Sequence, residues 1–321
     1  MTVNVACVGL SQISVSVVLT LANQSKDFKF KGWDPILDAR VDANRYKVFN
    51  AITKKPQETV RDADLVLLSL PSDEVESTLK ILDVTMGRDV MVINISPMQT
   101  QTLEYIREVF GKKVPFISVF PVLRPETLED SLFGPRAARE DMFEKSLVFI
   151  ADAQDASPAI LDLAVDFAVL LGGQPVFTTP EELDGLIAAN LLLPQLSAAA
   201  LMKAAAKQPS WQEGEKLAGG LLFHSTLPLA DLYENEFFGF TARANSENMA
   251  RLVEDLIREL IEVRDLLREE NKEKISDLFN QALDSRDEWL TERHSSQISP
   301  HIASSIPSRE EALKRFMKLG K

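Results

Sequence analysis

The chain has 321 residues, of which 45% are apolar and 26% are charged, and its formal net charge is −13. It is therefore long enough for two domains, each with its own core. The excess of acidic residues argues against nucleic acid and against an anionic membrane surface as partners, because both are polyanions. A local basic pocket for a phosphate or a carboxylate is compatible with this charge.

The numbers and positions of cysteine and histidine narrow the class of protein further. Cys7 is the sole cysteine and lies in an apolar run, so we expect a buried core residue and no disulfide within the chain. Three histidines spread over residues 224 to 301 do not form a metal-binding pattern. A strand pattern begins almost at once, and the apolar stretch "LIAANLLLPQLSAAALM" is interrupted by polar residues and proline. We therefore expect a cytoplasmic protein without a signal peptide or a membrane span.

The first half of the chain alternates short apolar runs with amphipathic segments. One run, "DADLVLLSLP", is closed by proline, as expected for a strand buried on both faces. The alternation indicates βαβ units, and hence an α/β fold with a doubly wound, mostly parallel sheet. The predicted strands are Val3–Val8, Phe28–Trp33, Leu65–Leu70, Val90–Ile95, Pro115–Phe120 and Leu147–Ala151, with a last short one in "GGQPVFTT". The predicted helices cover residues 12–24, 36–49, 73–83, 99–110 and 158–171.

The second half has a helical pattern throughout. Thr179 precedes acidic residues and a long apolar face, which is typical of a helix start, and leucine and isoleucine later recur at helical spacing. These apolar faces exceed what one small bundle can bury, which favours a dimer formed through this region. The predicted division is an α/β domain over 1–174, an all-helical domain over 175–293, and a polar tail over 294–321 with a loop and one short helix.

The segment "VGLSQIS", after the first predicted strand, has the position of a dinucleotide-binding turn. The usual motif is Gly-x-Gly-x-x-Gly, and this chain has Gly9, Ser11 and Ser14 at the three glycine positions. Gly9 meets the need for a tight turn, whereas Ser11 adds a side chain where a pyrophosphate comes nearest. Gln12 and Ile13 begin the next helix, whose free N–H groups and positive dipole end favour a phosphate. We predict a weakened but functional site.

Asp34 follows the second predicted strand, 25 residues after Gly9. An acid at this place in a Rossmann-like βαβ unit accepts hydrogen bonds from the adenine ribose and repels a 2′-phosphate. No arginine follows Asp34 directly, so NAD is the expected cofactor and NADP is disfavoured. A purely structural explanation also exists, since aspartate is common in turns and Pro35 comes next.

The order of these parts resembles the prephenate and arogenate dehydrogenases, which oxidatively decarboxylate a cyclohexadienyl acid on the way to tyrosine. "DLVLLSLPSDEVESTLKIL" is similar to the family's strand and crossover after the ribose site, where Leu70 and Pro71 would flank the adenosine. "EELDGLIAANLLLPQLSAAAL" resembles its first dimer-domain helix, and "NSENMARLVEDLIREL" resembles a later helix with an Asn-x-x-Asn pair, here Asn245 and Asn248. The resemblance covers about residues 3 to 290 and implies a Rossmann-like domain followed by an all-helical dimerisation domain.

The residues that carry the family's chemistry differ in this chain. Where the family has a histidine in a His-Pro step after the fifth strand, this sequence has Phe120, which can neither accept a proton nor polarise a hydroxyl. The family's Ser-His-Leu-Pro-His motif is "LLLPQ" here, and the arginine expected to hold the substrate carboxylate falls near Leu227. The resemblance therefore implies a divergent member that lacks the catalytic histidines.

Three other residues are candidates for the reaction centre. Ser96 follows the fourth predicted strand and matches a family position that lines the nicotinamide pocket. Arg124 lies just past the fifth strand and has the chemistry to bind a carboxylate, although a solvated loop arginine is the simpler explanation, and Arg136 and Arg139 are weaker candidates of the same kind. His224 lies near the family's substrate loop, but a lone histidine is more often structural than catalytic.

Three hypotheses about function remain open on these observations. The first is an NAD-dependent oxidoreductase that transfers a hydride from a small hydroxy or cyclohexadienyl acid with atypical residues. The second is a non-catalytic relative, a scaffold or regulatory subunit that forms a homodimer or a heterodimer with an active paralogue. The third is a true prephenate or arogenate dehydrogenase with rearranged residues. Polar groups converging around Ser96, Phe120 and Arg124 would favour an enzyme, and an apolar filling would favour a scaffold.

Overall fold

The computed structural model describes residues 2–87, 89–111, 114–128, 130, 132–151, 156–230, 238–295 and 306–320. Within these residues the first half forms one sheet of eight strands in the order β3-β2-β1-β4-β5-β6-β7-β8. The strands are β1 Val3–Val8, β2 Phe28–Trp33, β3 Ala51–Ile52, β4 Leu65–Leu68, β5 Met91–Asn94, β6 Phe116–Pro121, β7 Leu147–Ala151 and β8 Gln174–Thr178. All neighbours pair in parallel except β6 and β7, which are antiparallel.

The helices before β8 are α1 Gln12–Gln24, α2 Leu37–Asn44, α3 Pro56–Val60, α4 Ser72–Asp83, α5 Thr100–Phe110 and α6 Pro158–Leu170. Those after it are α7 Pro180–Ile187, α8 Leu193–Ala206, α9 Trp211–Gly214, α10 Gly220–Thr226, α11 Phe238–Ala244, α12 Ser246–Arg268, α13 Lys272–Ser295 and α14 Arg309–Phe316. A π-helical turn, Ala188–Leu192, joins α7 to α8. The predicted α/β fold with a helical second half is confirmed.

The strand order changes direction at β1, which lies between β2 and β4. In open α/β sheets, ligands bind in the crevice beyond the carboxyl ends of the strands at such a switch point. The turn after β1 and the end of β4 therefore meet at the place where a ligand site is expected.

Two apolar cores cover the two faces of the sheet. Side chains alternate along the buried strand β4, so that Leu65 and Leu67 enter one core while Val66 and Leu68 enter the other. Burying a leucine fully contributes about 2 kcal/mol to folding relative to an exposed one. Because β4 is buried on both faces, its sequence is a continuous apolar run.

The helical region begins at Pro180, because β8 still belongs to the sheet. The boundary predicted between residues 174 and 175 thus falls inside the last strand. A third, smaller core joins the helices to β6 and β7 and includes Leu183, Ile187 and Met249. In the part of the chain that is described, the run 180–206 is the one helical segment long and apolar enough to cross a membrane, and 22% of its most apolar window is buried in the monomer.

The end of the chain returns to the α/β domain as the predicted short helix. In α14, Phe316 is fully buried and stacks on Phe167 of α6, with 6.0 Å between ring centroids. Gly320 lies against the backbone of Thr2, so the tail covers the amino end of β1, opposite the carboxyl edge of the sheet. The predicted loop includes residues 296–305, which lie outside the described residues.

Candidate functional site

The turn after β1 is built around Gly9. This residue has a φ of +98°, a conformation that favours glycine, and a Cβ placed on it would lie 2.0 Å from the carbonyl oxygen of Ser69. Its N–H donates to the carbonyl of Trp33 at 2.8 Å. Gly9 therefore lets the turn pass directly against the segment that follows β4.

Serine hydroxyls hold the rest of the turn. Ser11 has a φ of −79°, so its position needs no glycine, and its Oγ accepts from the Ser14 N–H at 3.1 Å as the N-cap of α1. The Ser11 and Ser69 hydroxyls lie 2.7 Å apart, and the Ser14 hydroxyl donates to the Gly9 carbonyl at 2.8 Å. The serines thus preserve the shape of the turn. Ser69 was missed by sequence reasoning, because its partner is 58 residues away.

The first turn of α1 presents the N–H groups of Gln12 and Ile13, for which no acceptor is found within the described part of the chain. Such N–H groups, with the positive end of the helix dipole, form a site suited to a phosphate. The Gln12 side chain donates to the Ala137 carbonyl at 3.4 Å. It therefore lies beside the loop after β6.

Asp34 lies at the carboxyl end of β2, as predicted, and is 6% exposed. One carboxylate oxygen accepts from the Leu10 N–H at 2.6 Å and the other accepts from the Ile36 N–H at 2.8 Å. Burial raises the pKa of Asp34 from its ordinary 3.8 to about 6, even though these two hydrogen bonds lower it. Asp34 thus braces the turn itself, and each oxygen keeps a second lone pair for a ligand hydroxyl.

Ser96, Leu70 and Pro71 lie beside this turn at the same edge of the sheet. Leu70 is buried, and its N–H donates to the Ser96 Oγ at 3.1 Å, while that hydroxyl donates to the Leu68 carbonyl at 3.3 Å. Pro71 is half-buried and precedes α4. Ser96 is 1% exposed, so in this conformation it links the ends of β4 and β5.

A buried polar network continues from Ser96 into the helical region. Asn94 accepts from the Ser96 N–H, and Gln99 donates from its side chain to the Ser96 carbonyl at 2.6 Å. Asp184 of α7 accepts from the backbone N–H groups of Gln99 and Thr100 at 2.7 and 3.0 Å, across the start of α5. Burial raises the pKa of Asp184 above its ordinary value.

Asn245 completes this connection, since its side chain donates to the Asp184 carbonyl at 2.7 Å and accepts from Asn248 at 2.9 Å. The two asparagines belong to the sequence resemblance, whereas the role of Asp184 is not predicted from the sequence. The sequence feature that indicates a role for Asp184 is its position as an acidic residue on an otherwise apolar helix face.

Phe120 and Arg124 do not form a polar pocket with Ser96. Phe120 packs in the third core against apolar side chains that include Leu183 and Met249. Arg124 donates to Glu126 at 2.8 Å and to Asp141 at 2.6 Å, and both acids raise its pKa. The Arg124 guanidinium therefore binds carboxylates of its own loop.

His224 and the two weaker arginine candidates lie elsewhere. His224 is exposed on α10, where its ring meets Phe223 edge-on at 5.4 Å. Arg136 pairs with the buried Asp42 at 2.7 Å, and Arg139 pairs with Asp141 at 3.0 Å. The structure thus brings together the turn, Asp34, Leu70, Pro71 and Ser96, but records no contact of these residues with Arg124 or His224.

A mostly parallel sheet with a switch point beside β1, a left-handed glycine turn and an acid at the end of β2 define a dinucleotide-binding fold of the Rossmann type. Residues 18–177 match the nucleotide-binding domain of prephenate dehydrogenase. This match places the nucleotide-binding domain in the prephenate dehydrogenase family, as the sequence resemblance implied. The match begins after the turn, so the turn is assigned by its own geometry.

Solved structures agree with this fold along nearly the whole chain. The prephenate dehydrogenase from A. aeolicus, in complex with hydroxyphenyl propionate and NAD+, is 19% identical over 90% of this chain and 98% of its own, with a TM-score of 0.74. The arogenate dehydrogenase from Synechocystis is 18% identical over 89% of this chain and 99% of its own, with a TM-score of 0.65. At such identities the likeness concerns the fold. None of the curated proteins matches the chain significantly in sequence.

Proposed function

We propose that this protein binds NAD at the turn after β1 and is an oxidoreductase that transfers a hydride from a small acid. The observation that carries the proposal is the turn itself, in which Gly9 keeps its left-handed conformation and the N–H groups of Gln12 and Ile13 are available. The residues present fit a dinucleotide, because Ser11 has a backbone conformation open to any residue and Ser14, in the first turn of α1, donates its hydroxyl to the Gly9 carbonyl within the turn.

Each part of the turn has a separate role in this proposal. Gln12 and Ile13 hold the pyrophosphate through backbone N–H groups, and Asp34 accepts from a ribose hydroxyl with the lone pairs that Leu10 and Ile36 leave free. Leu70 and Pro71 flank the adenosine. NAD+ supplies the hydride acceptor when it is bound, and Ser96 keeps the ends of β4 and β5 together beside it.

The substrate proposed is a small hydroxy or cyclohexadienyl acid, less polar where it meets Phe120 than the family's usual substrate. Phe120 offers an apolar surface backed by Leu183 and Met249. Because phenylalanine cannot take a proton, the proposed oxidation passes its hydride to NAD+ and releases the hydroxyl proton to solvent, without the histidine of the family.

Calorimetric titration with NADH tests the cofactor part. The wild-type protein is expected to bind NADH in the micromolar range, and Asp34→Ala is expected to bind it at least about tenfold more weakly, since a lost hydrogen bond to a charged group costs roughly 1.5 to 3 kcal/mol. Asp38→Ala, an exposed acid four residues away, is the matched control and should bind like wild type. Failure to bind at millimolar NADH contradicts the proposal.

A non-catalytic role is the second candidate, and it is favoured by the apolar setting of Phe120 and by the two carboxylates that pair with Arg124. A panel of hydroxy acids, with prephenate and arogenate, separates the candidates by the appearance of NADH absorbance. Turnover of a simple hydroxy acid supports the first proposal, and turnover of prephenate or arogenate supports a true family dehydrogenase. NADH binding without any turnover supports a scaffold or regulatory subunit.

We further propose that the protein is a dimer formed through its helical region. In the described part of α10, α12 and α13, large apolar side chains remain exposed, whereas monomers rarely expose large contiguous apolar patches. They are Leu221, Phe223, Ile257, Leu260, Ile261, Leu267, Phe279, Leu283 and Trp289. A second copy of this chain is the simplest partner, and an active paralogue with the same fold is the alternative.

A further inference from the structure

Asp184 caps a helix that belongs to the other half of the molecule. Helix α5 has no side-chain cap from its own N-cap residue, Gln99. Asp184 of α7 takes that role, since its two oxygens accept from the Gln99 and Thr100 N–H groups at 2.7 and 3.0 Å. The start of α5, beyond the carboxyl end of β5, is therefore held by a residue of the helical region.

Four buried polar residues around the end of β5 form what we call the β5 network. They are Asn94, Ser96, Gln99 and Ser118, each at most 1% exposed. The Gln99 side chain donates to the Ser96 carbonyl at 2.6 Å and accepts from Asn94 at 3.2 Å. The Asn94 amide also donates to the Ser118 hydroxyl at 2.9 Å. Since these buried groups satisfy one another, the network fixes one arrangement of the strand end.

The β5 network lies on the side of the proposed cofactor site that is opposite Asp34. A dinucleotide binds across the switch point of such a sheet, with one mononucleotide on each side. Asp34, at the end of β2, places the adenosine on one side, so the nicotinamide of the proposed NAD lies toward β4 and β5 on the other. The Ser96 hydroxyl joins these two strand ends, because it accepts from the Leu70 N–H at 3.1 Å.

A second polar contact joins the helical region to the same side of the site. The hydroxyls of Thr241 on α11 and Ser72 at the start of α4 lie 3.3 Å apart, and both residues are buried. Helices α4 and α5 follow β4 and β5, whose ends meet at Ser96. The helical region therefore contacts the first turn of both helices that flank the nicotinamide side.

We propose that Asp184 is a positioning residue of the cofactor site, and that it makes nicotinamide binding depend on the docking of the helical region. The inference rests on the proposed NAD site. Asp184 acts through other residues: it fixes the start of α5, Gln99 then fixes Ser96, and Ser96 fixes the ends of β4 and β5. A carboxylate suits this role, because two backbone donors need two acceptor oxygens.

The test compares NADH with ADP-ribose, which has the adenosine and both phosphates but no nicotinamide. Calorimetry on the full chain gives the Kd of each ligand for wild type and for the variants. Asp184→Asn removes one acceptor oxygen, whereas Gln99→Met keeps the backbone N–H and removes the side-chain hydrogen bonds to Asn94 and Ser96. Phe167→Leu is the control for lost stability, because Phe167 is fully buried on α6 and lies outside the β5 network.

Asp184→Asn and Gln99→Met are each expected to raise the Kd of NADH about fivefold or more and to leave the Kd of ADP-ribose unchanged. The double variant should bind NADH about as tightly as the weaker single variant, because both substitutions break one connection. Phe167→Leu should bind both ligands like wild type.

An unchanged Kd of NADH, or equal weakening of NADH and ADP-ribose, overturns the positioning role and leaves the proposed NAD site intact. Equal affinity of wild type for the two ligands overturns it as well, as do effects of Asp184→Asn and Gln99→Met that multiply in the double variant. Failure of wild type to bind either ligand overturns the proposed function itself. If Asp184→Asn does not fold, Gln99→Met decides between these outcomes.

Discussion

Gly9 is the residue on which the geometry of the turn depends most directly. Gly9→Ala adds a Cβ 2.0 Å from the Ser69 carbonyl oxygen at a φ of +98°. Backbone strain and the overlap together should lower the free energy of unfolding by roughly 3 to 5 kcal/mol. Urea denaturation followed by circular dichroism measures this change.

Gly111→Ala separates the two contributions. Gly111 also has a positive φ, +59°, but no atom of the described residues beyond its chain neighbours lies within 4 Å of its added Cβ. Its substitution should therefore cost only the backbone strain, about 2 kcal/mol. Equal decreases in the free energy of unfolding for Gly9→Ala and Gly111→Ala would show that the contact between the turn and Ser69 is unimportant.

Asp34 makes the stability of the folded protein depend on pH. Its folded-state pKa of about 6 lies above the ordinary 3.8, so between these values the native state holds more protons than the unfolded state. The contribution of Asp34 to stability is complete below the lower value and is lost as the pH rises through about 6. The loss should amount to about 3 kcal/mol.

Comparison with Asp34→Asn isolates this contribution from that of other acids. The difference in free energy of unfolding, wild type minus variant, should fall as the pH rises from about 4 to about 7, when measured by urea denaturation. The exposed Asp38→Asn is the control, and its difference from wild type should be nearly flat. A difference for Asp34→Asn that rises with pH would contradict a pKa of Asp34 that burial raises.

At the residue scale, the sequence identifies groups whose role depends on neighbours along the chain. Gly9 and Asp34 are predicted because a strand and a helix start bracket each of them. Ser69 and Asp184 acquire their roles from partners on other strands and helices, and the apolar helix face around Asp184 is the local sign of its burial. The pairing of Arg124 with Asp141 is hidden in the same way, since 17 residues separate the partners.

At the element scale, Asp184 joins α7 to the start of α5. Asp184→Asn leaves one oxygen to serve two backbone donors, those of Gln99 and Thr100, and turns an amide group toward the other. An unsatisfied buried donor costs about 1 to 3 kcal/mol, so stability should fall by that amount. Hydrogen exchange at the Gln99 and Thr100 amides should accelerate as well.

Glu181→Gln is the matched control for this element, because Glu181 is exposed one turn earlier on the same helix. It should change stability by less than about 0.5 kcal/mol and leave amide exchange at α5 unaltered. Accelerated exchange in the control, or none in Asp184→Asn, would show that Asp184 does not hold the two elements together.

Strands and helices are predicted correctly where burial requires an apolar pattern that extends over several residues. Strands β1, β2 and β7 have the predicted bounds, because each carries at least five residues of apolar or alternating character. Strand β3 has two residues and helix α3 five, so neither repeats its period often enough to be recognised. The antiparallel pairing of β7 is set by the course of the loop before it, which no apolar period encodes.

On the scale of the whole molecule, the two halves differ in how completely they bury their apolar residues. The sheet has apolar cores on both faces, and α14 adds Phe316 to one of them. In the helical region, the described residues of α13 have almost no buried side chains, although its sequence includes Phe279, Leu283 and Trp289. The tertiary structure of one chain therefore does not account for the helical pattern of its second half.

The proposed homodimer would account for this pattern, and charge placed on the exposed face should dissociate that dimer. Leu260 is 58% exposed on α12, and Leu260→Glu would bury a carboxylate in a dimer interface while costing little in the monomer. Sedimentation velocity should show wild type at the mass of two chains and the variant at the mass of one. Glu262→Gln, an exposed site on the same helix, should remain dimeric. A wild-type monomer at tens of micromolar would contradict the homodimer and favour pairing with a different chain, since the exposed leucines and aromatics would still need a partner.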